Sequence, residues 1–244
     1  MSCKLNDLKQ NMISTYKFKI ELHAHTKPVS SCSDILPEEL VKIYSSLGYD
    51  GIVITNHFTH GLFGDVSKNE ALKRYYDDFL KAEEAGKNEG IRVYFGSEIR
   101  FTENINDYLI YGLDMPMLEK IYDYLPLGIE KFRSEIKMDK SLFIQAHPFR
   151  KGITVVDETL LDGMETFNMH PHHNSKVGVA VRYAAKNGIN ITTAGSDCHH
   201  VNCDNEGLAA LRVKELPENS FELASILKSG DYLFELGDKA IVLP

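Results

Sequence analysis

Cysteine is scarce in this chain: Cys3, Cys32, Cys198 and Cys203 are spread over 244 positions with no Cys-x-x-Cys pair. That spacing excludes a disulfide-scaffolded miniprotein and points to a reducing compartment, the cytoplasm. No stretch approaches the ~18 consecutive apolar residues of a membrane span, and the segment from Met1 to Ser14 has lysines but no apolar core of a leader peptide. A basic excess is also missing. The formal net charge of −8 disfavours a broad phosphate-neutralising face, so long nucleic acids are not expected as partners, although a small basic pocket is compatible with it. Internal repeats, low-complexity tracts and Pro/Gly/Ser linkers are absent too. Residues 16–244 are therefore expected to form a single domain behind an N-terminal lead-in, 1–15. With 43% hydrophobic side chains, such a chain can bury one substantial core of the size of an ordinary α/β barrel.

What is present is a run of short apolar stretches, each ending in a polar residue able to do chemistry. Tyr16 to Ile20 leads into Glu21-Leu22-His23-Ala24-His25-Thr26, where residues two apart share a strand face, so His23 and His25 point the same way. The Ser-, Pro- and Asp-rich stretch from Thr26 to Leu36 reads as a loop, with Ser33 or Asp34 placed to cap a helix from Pro37. Gly51 to Thr55 is a continuous apolar strand ending at Asn56-His57. An amphipathic helix from Lys68 to Asn88 precedes a strand from Ile91 to Phe95, just beyond which stands Glu98. Asp107 heads the strand Tyr108 to Tyr111, and Ser141 to Ala146 delivers His147-Pro148. Gly163 to Phe167 leads to Asn168 and the run His170-Pro171-His172-His173. Ile189 to Ala194 ends at Asp197-Cys198-His199-His200. Strands alternating with helices argue for a parallel sheet or barrel closed by right-handed crossovers.

All ten histidines fall near strand ends or in loops, and none lies inside an expected helix. Histidines that only satisfy core hydrogen bonds would scatter among the elements. Imidazoles with nearby carboxylates suit zinc, manganese or iron, and a site of two or three ions is the natural product. Such a site can turn water into hydroxide near neutral pH, orient a phosphoryl oxygen and offset leaving-group charge, the requirements of phosphate-ester hydrolysis.

Four ordered motifs, His23-Ala24-His25-Thr26, Ile54-Thr55-Asn56-His57, Ala146-His147-Pro148 and Gly195-Ser196-Asp197-Cys198-His199, resemble those of the polymerase-and-histidinol-phosphatase (PHP) superfamily of metal-dependent phosphoesterases. Glu98 resembles the family's metal-bridging glutamate. The resemblance implies a distorted (β/α)7 TIM-like barrel with its metals at the C-terminal ends of the strands. Its ligands would be His23, His25, His57, Glu98, His147, Asp197 and His199, and its reaction the hydrolysis of a small phosphomonoester by a metal-activated hydroxide. Two departures stand out. Asn56 occupies a position where many members carry Asp, and no histidine lies between Glu98 and His147 to complete a third metal site. Asp107 aligns best there, and Cys32 lies closest to the family's ligand position in the first loop, with Asp34 two residues on.

Arg150, in the loop of His147, is placed to clamp a phosphate, with Arg100 and His170 as further phosphate contacts. His172 is a candidate proton donor; His60 and His200 are weaker site candidates. Two alternatives remain at this stage: a nuclease or nucleotide phosphoesterase acting on short oligonucleotides or nucleoside bisphosphates, and a degenerate domain that binds metal or phosphate without turnover.

Overall fold

The computed structural model describes residues 2–201, 207–237 and 240–244. The lead-in is a helix, α1 (Ser2–Thr15). The first half of the chain then runs β1 (Phe18–Ala24), α2 (Pro37–Ser46), β2 (Gly51–Ile54), β3 (His57–Thr59), α3 (Lys68–Glu89), β4 (Arg92–Phe95), β5 (Ser97–Arg100) and β6 (Tyr108–Tyr111). It continues through α4 (Met115–Tyr124), α5 (Ile129–Glu135), β7 (Leu142–Gln145), β8 (Gly163–Asn168), α6 (Val177–Asn187), β9 (Thr192–Gly195) and β10 (Ala209–Val213). The chain closes with α7 (Ser220–Ser229), β11 (Leu233–Leu236) and β12 (Ala240–Val242).

The strands form two mixed six-stranded sheets, ordered β12-β11-β10-β1-β2-β4 and β3-β5-β6-β7-β8-β9. A bridge between Ala24 and Cys198 links the end of β1 to the loop after β9. Strand β6 runs antiparallel to both β5 and β7, and β10 antiparallel to β1, so the expected all-parallel order holds only in part. Strands β3 and β5 were not foreseen. Each resumes the direction of the strand before it after a short break, and in the second case the break is Gly96, where a Cβ would lie 2.6 Å from Val53 Cγ1. The resumed pair sets His57 beside Glu98 in parallel register.

Two apolar clusters hold these layers. One joins inward residues of both sheets, among them Ile20, Leu22, Val53, Leu109, Ile144, Ala194 and Leu211. The other packs the helices outside, with Leu40, Tyr44, Leu72, Tyr75, Phe79 and Phe132. Helix α3 starts where Ser67 Oγ accepts the Glu70 N–H at 3.2 Å and stops at Gly90, whose φ of 72° costs glycine little. Helix α2 is begun neither by Ser33 nor by Asp34: Leu36 is its N-cap, and the Leu36 N–H donates to Glu39 Oε2 at 3.0 Å.

Cys198 is disulfide-bonded, contrary to the expectation of a fully reduced chain, and Cys32 is a free thiol. Among the described residues no helix is long and apolar enough to cross a membrane.

Candidate metal centre

Strand β1 carries a bulge. Glu21 pairs with Ile52 and Ala24 with Ile54, so Leu22 and His23 together oppose Val53. An extra residue of this kind re-aims the side chains that follow, and here the His23 and His25 rings lie 5.0 Å apart, both fully buried. His57 and Glu98 arrive from β3 and β5, with His57 Nδ1 2.8 Å from Glu98 Oε2. His147 follows β7 and stands 3.0 Å from Glu98 Oε1. Asp197 and His199 follow β9, and Asp197 Oδ1 lies 3.5 Å from His23 Nε2 and 3.3 Å from His25 Nε2. His147 and Asp197 both have positive φ, 29° and 53°, a strained backbone for side-chain-bearing residues.

Among the described residues four donor groups have ligand atoms within 4.8 Å of one another: His25, His57 and His199; His23, His25 and Asp197; His23, Glu98 and His147; and His57, Glu98 and Asp107. They share members and so form one cluster. The buried Nε2 atoms of His23 and His25 have no hydrogen-bond partner among the described residues. Nitrogens left this way would be costly unless something accepts their lone pairs, and a divalent cation bound by nitrogen and oxygen donors fits that role.

The electrostatics agree. Burial would push Glu98 up, yet His57, His23 and His147 hold it well below the ordinary carboxylate range. Asp197 is lowered in the same way, against its burial, by His23, His25 and Arg150. Burial works against a charged His57, but Glu98 and Cys32 lift it to about 10. His25 is driven well down by burial and by the neighbouring His199 and His57, which keeps its nitrogen free to coordinate. Asp107 is raised by burial and by Glu98. Burial alone would raise the Cys32 thiol, but hydrogen bonds with His199 and His57 bring it down to about 6.

The surrounding contacts fix these groups. Glu165, which sequence reasoning passed over, accepts from the His147 N–H at 2.9 Å and meets His23 Nδ1 at 2.7 Å. A carboxylate on the far nitrogen of a ligating imidazole orients the ring and raises its basicity. Asn168 Nδ2 donates to Glu165 Oε2 at 3.0 Å and to Asp197 Oδ2 at 3.1 Å.

Asn56 has a comparable role. Its Oδ1 accepts from the Thr26 N–H at 2.7 Å and Ser30 Oγ at 2.9 Å, while its Nδ2 donates to Asp78 Oδ2 at 2.8 Å. Asp78, buried on α3 and raised by burial to about 6, supplies the carboxylate that an Asp at position 56 would duplicate. Asn56→Asp is therefore expected to set two carboxylates against each other and cost about 1–3 kcal/mol. Thermal melts check this: Asn56→Asp should unfold earlier, and adding Asp78→Asn should recover much of the loss. Because the folded-state value of Asp78 lies above its ordinary 3.8, its protonated form favours folding, and its contribution to stability falls as pH rises from about 4 to about 6. A melt series on Asp78→Asn should show a flatter slope across that window.

The cluster opens into a cleft of about 280 Å³ lined by Cys32, His57, Glu98, Arg100, Asp107, His147, Arg150, His170, His172, His173, Asp197, His199 and His200. Arg150 Nη2 donates to Asn168 Oδ1 at 2.9 Å and pairs with Asp197. Arg100 is engaged by Asp107 through two hydrogen bonds of 2.7 and 2.8 Å, so its fork is already occupied. His170 is buried and pushed down by burial to about 4; it accepts the His172 N–H at 3.1 Å. His172 sits at the rim, 5.9 Å from the His170 ring and 6.1 Å from His200. Asp34 stands outside the cluster, its carboxylate 3.1 Å from His200 Nδ1. His60 is also outside, against Tyr122 at 5.5 Å.

No family model and no curated protein matches the chain. Solved structures do. A two-domain protein from Bacteroides vulgatus ATCC 8482, containing a region predicted to be a PHP-like metal-dependent phosphoesterase, superposes with a TM-score of 0.58 at 17% identity over 90% of this chain and 65% of that one. A candidate metal-dependent phosphoesterase from Bifidobacterium adolescentis ATCC 15703 gives 0.47 at 15% identity over 74% and 87%. An amidohydrolase from Chromobacterium violaceum with bound sulfate gives 0.46 at 13% over 75% and 88%. The chain thus shares its fold with the PHP-like protein from Bacteroides vulgatus, and it carries His/Asp clusters of metal-binding geometry. It spans about two-thirds of the length of the two-domain protein.

Proposed function

We propose that this chain is a metal-dependent hydrolase of small phosphomonoesters, with residues 16–244 acting as one domain whose two sheets form a distorted (β/α)7 barrel. The observation that carries the reading is the convergence of His23, His25, His57, Glu98, Asp107, His147, Asp197 and His199 in one cluster, with the Arg150 guanidinium lining the cleft into which it opens. Two or three zinc, manganese or iron ions held there would supply Lewis acidity and a water acidic enough to be a nucleophile near neutral pH. The chain's own residues do the rest. Glu98 lies between the His23/His147 and His57 sides and fixes their spacing. Glu165 and Asn168 orient His23 and Asp197. Arg150 steadies the phosphoryl oxygens, and His170 contributes a further polar contact deeper in the cleft. A proton for the leaving group comes from the rim, where His172 is in reach.

The lining also supports a substrate class. Among the described residues it contains histidines, carboxylates, arginines and Cys32, with no aliphatic, Phe or Tyr side chain. Single-stranded nucleic acid is ordinarily held by large aromatic rings along a basic groove, and among the described residues this lining has no Phe or Tyr and balances its two arginines with Glu98, Asp107 and Asp197. A small hydrophilic ester fits better, with histidinol phosphate one member of the class.

Phosphate release from small phosphomonoesters, histidinol phosphate and nucleotides included, measured beside cleavage of a phosphodiester and a short oligonucleotide, tests the reading. Release from monoesters supports it; cleavage confined to diesters or oligonucleotides overturns it in favour of a nuclease. Arg150→Ala is expected to lower kcat/KM by about 10²–10³-fold, and Arg150→Lys should recover only part, since a point charge does not reproduce the bidentate fork. Steady-state kinetics on the best monoester check both.

A further inference from the structure

The carboxylates of the donor groups are Glu98, Asp107 and Asp197, and the two aspartates are not equally free to take an ion. Asp197 meets Arg150 through Oδ2 and turns Oδ1 toward His23 Nε2 and His25 Nε2, at 3.5 and 3.3 Å. Asp107 has both oxygens in the fork of Arg100: Nε donates to Oδ1 at 2.7 Å and Nη2 to Oδ2 at 2.8 Å. A guanidinium and a carboxylate joined by two parallel bonds make one of the stronger side-chain contacts.

The strands build this pair. β5 and β6 run antiparallel with Glu98 opposite Leu109 and Ile99 opposite Tyr108, and the next step of that register sets Arg100 opposite Asp107. Residues two apart on a strand share a face, so Arg100 leaves β5 on the side of Glu98. It lines the cleft together with Glu98, Asp107 and His147. Asp107 is the buried end of the pair, its Oδ2 3.9 Å from His147 Nε2, while Arg100 is partly open to the cleft.

An ion bound by His57, Glu98 and Asp107 would have to share Asp107 with this guanidinium. Spare lone pairs on the carboxylate allow the sharing, but the charges oppose it. The guanidinium stays protonated throughout the ordinary pH range, and it repels a divalent ion on the same carboxylate most strongly where little water screens the two.

Resting on the metal-centre reading above, we infer that Arg100 stands in for an ion at the His57, Glu98 and Asp107 group, so that the cluster holds two ions through the other three donor groups. Asp107 is then a positioning residue that holds the guanidinium at the cleft, not a ligand. The charge of Arg100 does not vary with metal supply, and it faces the cleft from β5 while Arg150 faces it from the loop after β7.

The test is the zinc content of the full chain, equilibrated with excess zinc and freed of loosely held metal by gel filtration, for the parent, Asp107→Asn and Arg100→Met. The parent should retain about two ions per chain, and Asp107→Asn the same number, because both Asp107 oxygens serve Arg100. Arg100→Met keeps a long side chain and removes the fork and its charge. Asp107 is then unpaired beside His57 and Glu98, and about one further ion should bind. If Arg100→Met fails to fold, the count for Asp107→Asn decides alone. About three ions in the parent, an ion lost in Asp107→Asn, or no gain in folded Arg100→Met overturns the stand-in and leaves the metal centre standing. No retained zinc in any of these proteins overturns the metal centre and the role of Arg100 together.

Discussion

Glu98→Gln is expected to lower phosphate release by at least about 10³-fold, about 4 kcal/mol in the barrier, while the protein still unfolds in one cooperative transition. Glu98 is fully buried and meets four histidines: His57 at 2.8 Å, His147 at 3.0 Å, and His23 and His25 each at 3.4 Å. The amide keeps the volume and one acceptor but removes the negative charge that would offset bound cations. Two of the four donor groups contain Glu98, so one loses its only carboxylate and the other keeps only Asp107. Metal analysis of the purified variant should show at least one ion fewer per chain than the parent. Full turnover in Glu98→Gln would remove the centre from the chemistry.

The second large effect is expected from a residue without a side chain. A Cβ at Gly195 would lie 2.3 Å from His23 Cβ and 2.8 Å from Glu165 Oε1. A Cβ–Cβ overlap cannot be relieved by turning a rotamer, so β9 or β1 has to move. Overpacking of this kind costs about 1–3 kcal/mol, a fall in Tm of roughly 3–10 °C for a chain of this size. The shift falls on the Glu165–His23 contact, and a displacement near 1 Å at a reacting group can cost about 10²-fold in rate. Gly178→Ala in α6 serves as the control, since nothing lies within 4 Å of a Cβ there. Calorimetry and kinetics on the pair should show the loss in Gly195→Ala alone; equal behaviour of the two would mean that the β1–β9 contact does not position His23.

The clustering of the donor residues was legible because strand periodicity and strand-end position are local properties. His23 and His25 share a face by their spacing, and His57, Glu98, His147, Asp197 and His199 each follow an apolar run. Asp107, at the head of a strand rather than its end, came only from the resemblance. Glu165 was not placed, since a single acid inside Gly-Met-Glu-Thr-Phe gives no local sign of which face meets His23; that depends on β1, 142 positions away. Asp78 did leave a sign, standing one turn from Tyr75 and Ala82 on the apolar side of α3, where an acid has no reason to be unless it is paired.

The fold was legible in its alternation and less so in its directions. An antiparallel β6 looks locally like a parallel one, and only the partner strand decides. Strand β11 was passed over although Leu-Phe-Glu-Leu is a short apolar run flanked by Gly230 and Gly237. The departure at position 56 became intelligible only in three dimensions, where Asp78 provides the acid that Asn56 lacks.

The most direct measurement is phosphate release from the best small phosphomonoester, titrated against metal equivalents added to metal-stripped protein. The account predicts no release without metal and a rise that continues past the first equivalent, as expected of overlapping donor groups that hold more than one ion. Release undiminished by stripping, or none with two ions per chain demonstrably bound, would contradict it.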